Sequence, residues 1–142
     1  MEARDPQRAE AVRQRARTAV ARLSHDFPGN AETGVLGTTR EEQRRFADFA
    51  NDEPCPALDP DQGTCDLYEA RPMTCRVFGP PVRVKGGGLG VCELCYQAFS
   101  EKEIAACEMT PDPEDLESKL LKQVEQTSGR SGDTIVAFSL VA

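Results

Sequence analysis

Apolar residues recur at helical spacing over residues 7–23. Ala9, Val12, Ala16, Ala19, Val20 and Leu23 share one side, and Arg8, Arg13, Arg15, Arg17 and Arg22 mostly occupy the others. The pattern predicts an amphipathic helix, with Pro6 suited to its first turn. Residues 24–38 read as a loop broken by Pro28, Gly29, Gly34 and Gly37. Thr39-Arg-Glu-Glu42 is a capping-box pattern that should open a second helix through Ala50, burying Phe46, Phe49 and Ala50. Pro54 and Pro56 then stop regular structure around Cys55.

Further along, Leu67 to Ala70 suggests one short turn before Pro72. Val82-Arg-Val84 and Leu89-Gly-Val91 flank Lys85-Gly-Gly-Gly88, the pattern of a small hairpin or a flexible excursion. Ser100-Glu-Lys-Glu103 is a second capping box, opening a helix that carries Ile104 and Cys107. Residues 112–127 predict another helix with Leu116, Leu120, Leu121 and Val124 on its apolar stripe. Residues 134–141 have strand composition and are too short to stand alone, so pairing is expected, with 82–84 as one partner.

Composition narrows what these elements can do. A chain of 142 residues fits a single domain, read here as an N-terminal helix and loop (1–38), a cysteine-cluster core (39–110) and a C-terminal helix and strand (111–142). An apolar content of 39%, with no Trp, is low for a large core, so a bound metal would help fix the loops. The net charge of −7 argues against non-specific nucleic-acid binding. No run of 18 apolar residues could span a bilayer. No apolar segment follows the N-terminal Met-Glu-Ala-Arg-Asp-Pro, so the expected location is the cytoplasm, where thiols stay reduced. The solvated polar face of helix 7–23 is also a possible contact for a protein partner.

All six cysteines (Cys55, Cys65, Cys75, Cys92, Cys95 and Cys107) fall between positions 55 and 107. Thiolates are soft anionic ligands, and four of them satisfy a zinc ion or anchor an iron–sulfur cluster. Cys92-Glu-Leu-Cys95 lets two sulfurs reach one ion from one turn of chain. The other spacings match no zinc-finger ruler, and no βαβ context supports a thioredoxin-like motif. From Arg71 to Lys85 the chain carries four cations (Arg71, Arg76, Arg83 and Lys85) and no acid. Such charges can offset bound thiolates or simply pair with surface carboxylates. His25, the one histidine, reads as a surface residue beside Asp26. The glycine-rich 85–90 lacks the ending of a phosphate loop, and no nucleophile–base–orienter set is visible.

Cys65-Asp-Leu-Tyr68-Glu-Ala-Arg71-Pro72-Met-Thr-Cys75-Arg76-Val-Phe78 resembles the core motif of the bacterial YkgJ-type cysteine-cluster proteins, and Cys55-Pro-Ala-Leu58 resembles the element preceding it. The resemblance covers residues 46–107. It implies a zinc- or iron-chelating domain, sometimes described as an iron–sulfur oxidoreductase. By the same resemblance Cys55, Cys65 and Cys75 are metal ligands, Cys92 matches a later family cysteine, and Tyr68, Arg71, Pro72 and Arg76 support them. Tyr68 and Phe78 also read simply as core aromatics. The family's usual N-terminal Cys-x-x-Cys-x-x-Cys-Cys cluster is missing here, since no cysteine precedes Cys55.

The resulting expectation is a mainly α, small, irregular, cysteine-rich domain pinned by metal, with a minor β hairpin or C-terminal strand. Its function is metal binding through four of the six thiols. Cys55, Cys65, Cys75 and Cys92 are favoured and Cys95 is the main competitor. Arg71 and Arg76 are read as cofactor-binding countercharges. Zinc is preferred to an iron–sulfur cluster because no recognised cluster spacing occurs. The rivals are an iron–sulfur electron-transfer protein or oxidoreductase, a metal-free thiol-redox protein, and an interaction module with a structural metal.

Overall fold

The computed structural model describes residues 5–84, 88–92 and 95–141. In chain order the elements are α1 (Pro6–Leu23), β1 (Gly29–Asn30), β2 (Val35–Leu36), α2 (Arg40–Asp48), a 3-10 turn (Tyr68–Ala70), α3 (Met73–Arg76), β3 (Val82–Arg83), β4 (Leu89–Gly90), α4 (Glu101–Ala106), α5 (Leu116–Ser128) and α6 (Val136–Ser139). Helices dominate, as the residue patterning implied, and the β content is two small hairpins, β3–β4 expected and β1–β2 within the segment read as a loop. The chain divides into two units, Met1–Glu69 with Ser131–Ala142, and Ala70–Arg130.

The first unit is organised by α1. Asp5 caps it by accepting a hydrogen bond from the Arg8 amide at 2.9 Å, and Pro6 fills the first helical position, where no amide is needed. Ala9, Val12, Ala16 and Ala19 form a narrow buried stripe. Their small size lets residues near the C-terminus approach closely, and Ala137 and Phe138 of α6 are buried with them. Phe27 completes this core, tilted against Phe138 at 4.6 Å and edge-on to Phe49 at 5.8 Å.

This packing explains why residues 134–141 are not the strand that their composition suggests. Alternation would send Ala137 and Phe138 to opposite faces, whereas the single turn of α6 puts both into the core. Thr134 Oγ1 donates to the Gly34 carbonyl at 2.6 Å and the Leu36 amide to the Asp133 carbonyl at 2.8 Å, fastening the segment beside β2. Gly34 has φ +70° and lies so close to the Phe138 side chain that an added Cβ would sit 2.6 Å from the Phe138 Cβ and 2.7 Å from the ring, so only glycine fits. The 24–38 loop is therefore partly ordered, with β1 and β2 paired antiparallel through Gly29↔Leu36 and Asn30↔Val35.

The capping box of α2 forms as expected, with Thr39 and Glu42 exchanging side-chain and backbone hydrogen bonds. Its burial differs from expectation. Phe46 is 43% exposed, while Phe49 and Ala50 are only half-buried. The helix stops at Asp48 with Phe49 extended and Ala50 at φ 59°, so Phe49 turns toward Phe27 and Phe46 stays outside.

In the second unit, β3 and β4 pair antiparallel through Val82↔Gly90 and Arg83↔Leu89, and the expected glycine-rich tip at 85–87 lies outside the described residues. The partner of Val82 besides Gly90 is Met109, whose amide donates to the Pro81 carbonyl at 2.8 Å, and not the C-terminal segment. A second capping box, Ser100 with Glu103, starts α4. Asp112 caps α5, accepting from the Leu116 amide at 2.9 Å and the Glu117 amide at 2.7 Å. The apolar stripe of α5 is present but faces outward, with Leu116, Leu120, Leu121 and Val124 all at least half exposed. Among the described residues of this unit, Pro81 alone is buried.

Candidate metal centre

Cys55 and Cys65 belong to the first unit, at the two ends of a loop that folds back on itself. The Leu58 amide donates to the Cys55 carbonyl at 2.9 Å, and Leu58 then bridges Cys65 in antiparallel fashion. The tip is closed by Asp59, whose carboxylate accepts from the amides of Asp61 and Gln62 at 2.9 and 3.1 Å. These two bonds hold its pKa below the usual carboxylate value, the Asp61 amide contributing most. Cys65 is half-buried and Cys55 exposed. Cys55 lines two shallow grooves of about 260 and 230 Å³, one beside Arg15 and Arg22, the other beside Phe46 and Phe49.

The neighbour of Cys65 carries an enclosed charge. The Asp66 side chain is 2% exposed, and its two oxygens accept separately from Arg8 Nε and Arg15 Nη2 of α1. Arg15 Nε also donates to the Pro56 carbonyl at 2.8 Å, and the Asp66 amide to the Ala57 carbonyl at 2.7 Å. The hydrogen bond to Asp66, reinforced by its charge, raises the Arg8 pKa above its ordinary value. One heptad further on, Arg22 pairs with Glu53. Arg8, Arg15 and Arg22 thus form a line along α1 that grips residues 53–66. The charge pattern of the sequence does not single out Asp66. The seven-residue spacing of these arginines was the available signal.

The other four cysteines are in the second unit. Cys75 sits half-buried in α3, its amide donating to the Pro72 carbonyl at 3.0 Å. Arg76 Nε donates to the Arg71 carbonyl at 3.0 Å, bracing the turn that carries Pro72. Cys92 and Cys95 are brought together. The Cys95 amide donates to the Cys92 carbonyl at 3.1 Å, and a hydrogen bond between the two thiols raises the Cys95 pKa, helped by the Cys92 charge and by burial. Cys92 also lines a groove of about 410 Å³ with Val77, Phe78, Val82 and Val84. Cys107 is exposed at the C-terminal end of α4.

Two residues expected to frame the motif do not act as core. Phe78 is 81% and Tyr68 57% exposed. Of the cationic run, Arg83 pairs with Glu108, which raises its pKa, and Lys85 lies outside the described residues. His25 is a surface residue, its side chain 91% exposed and 3.9 Å from Asp26.

The donor chemistry suits a thiophilic ion, since all six cysteines are free thiols. Among the described residues no three of His, Cys, Asp and Glu converge as a metal cage. Comparison with known families gives one match. The model of the CxxCxxCC family, whose description reads "Putative zinc- or iron-chelating domain", matches residues 13–119. The chain belongs to this family. The match spans more than half of the chain and includes every cysteine. The family's naming motif itself does not occur, since Cys92-x-x-Cys95 is the one such pair in the sequence. No curated protein and no solved structure matches the chain.

Proposed function

We propose that this CxxCxxCC protein binds a zinc or iron ion through cysteine thiolates. The observation that carries the reading is the presence of all six free thiols inside the region matched by a zinc- or iron-chelating family. Zinc is the preferred ion, since no cysteine spacing of a known iron–sulfur type occurs. Cys55, Cys65, Cys75 and Cys92 are the favoured ligands and Cys95 the first alternative. Cys107 is a reserve thiol. Arg71 and Arg76 supply countercharge to the bound thiolates. Each cysteine that ligates the ion would lose its proton on binding.

A second reading is favoured by the Cys92–Cys95 thiol contact. Here the two thiols would pass two electrons and two protons to a disulfide acceptor, forming one disulfide and leaving the acceptor as a dithiol. A third reading, an interaction module with a structural metal, would use the polar face of residues 7–23. The apolar stripe of α1 is buried, and its arginines pair with Asp66, Glu10 and Glu53. Elemental and acid-labile sulfide analysis of anaerobically purified protein separates these readings. Zinc without sulfide supports the proposal in its preferred form. Iron with sulfide and broad absorption near ~400 nm makes the centre an iron–sulfur cluster. Absence of any metal, with a reversible Cys92–Cys95 disulfide, moves the function to thiol redox.

A further inference from the structure

We infer that Asp66 is a positioning residue for the thiols of Cys55 and Cys65, acting through a clamp built from Arg8 and Arg15. The inference rests on the metal-binding reading for its consequence, but not for its geometry. Asp66 follows Cys65 directly, and its carboxylate is nine-tenths or more buried. Such a group is costly to bury unless each oxygen is satisfied, and here each accepts from a different guanidinium.

Arg15 acts at two points. Its Nη2 reaches Asp66, next to Cys65, while its Nε reaches the Pro56 carbonyl, next to Cys55. One guanidinium from α1 thus holds the residues adjoining both cysteines. The Asp66 amide closes the same loop through Ala57 at 2.7 Å. Arg8 makes a single side-chain contact, through Nε to Asp66. The two arginines should therefore respond differently to lysine. A lysine ammonium can replace one point contact but lacks the planar fork needed to span two acceptors in fixed directions.

The test uses the full chain with zinc as the probe, in competition with a chromophoric chelator. A parallel measurement follows alkylation of each cysteine in the metal-free protein by mass spectrometry. Asp66→Asn and Arg15→Lys should each weaken zinc retention about 10- to 100-fold. They should also change the alkylation rates of Cys55 and Cys65 several-fold, leaving Cys75 and Cys107 as in the parent. Arg8→Lys should stay close to the parent, as should Glu10→Gln, which removes an α1 surface pair away from the loop. The inference is overturned if Arg15→Lys and Arg8→Lys behave alike, or if Asp66→Asn leaves Cys55 and Cys65 reactivity unchanged. If the parent chain holds no zinc at all, the zinc form of the metal reading fails, and the alkylation pattern alone still decides the clamp.

Discussion

At the scale of residues, the thiols are held by polar contacts more than by packing. Asp66 is fixed by two guanidiniums, and Arg76 reaches back to the Arg71 carbonyl at 3.0 Å across the turn that precedes Cys75. Arg76 therefore both braces this turn and supplies charge beside a candidate ligand. Arg76→Ala should weaken metal retention by about 10- to 100-fold in a chelator competition. Affinity equal to the parent's would retire the countercharge role. The cysteines were legible in the sequence because thiols carry distinctive chemistry at any distance along the chain. Asp66 was not, because one aspartate among many declares its burial only once the chain is folded. Tyr68 and Phe78 misled for a related reason: aromatic character is a tendency toward burial, and both side chains are more than half exposed.

At the scale of elements, the helix starts were the most legible feature. Both capping boxes form where Thr39-x-x-Glu42 and Ser100-x-x-Glu103 predicted them, since a cap is a contact between residues three apart. Thr39→Ala should lower stability by about 1 kcal/mol in urea unfolding. The Thr39 hydroxyl, and after it the Thr39 amide, hold the Glu42 pKa below its ordinary 4.5. A depressed folded pKa contributes stability that is present above the unfolded value and is lost as pH falls through the folded one. The α2 cap should accordingly weaken below about pH 4.5, and Thr39→Ala should flatten that acid dependence. Residues 134–141 show the opposite case. Their β-rich composition was overridden by the site prepared for Ala137 and Phe138 against α1, and no local pattern encodes that site.

At the scale of the whole molecule, the buried apolar side chains are distributed unevenly. Ala9, Val12, Ala16, Ala19, Phe27, Ala57, Ala137 and Phe138 all belong to the first unit. Residues 70–130 hold four of the six cysteines, and among the described ones only Pro81 is buried. On the proposed function, a segment with so little apolar burial would gain order from metal–thiolate bonds. Chelation should therefore raise amide hydrogen exchange across residues 70–130 while α1 keeps its protection. Equal loosening of both units would contradict this division. The low apolar content already pointed to a metal-pinned fold, but only the folded chain reveals which part has the core.

The central claim is that cysteine thiolates hold a metal ion. Its most direct test is the metal content of anaerobically purified protein, measured for the parent chain and for cysteine-to-serine variants at each of the six positions. The account predicts roughly one zinc or iron-containing centre per chain, since four thiolates satisfy one zinc ion. Loss should be greatest on substituting Cys55, Cys65, Cys75 or Cys92. A parent chain that carries no metal while all six thiols react freely would contradict it.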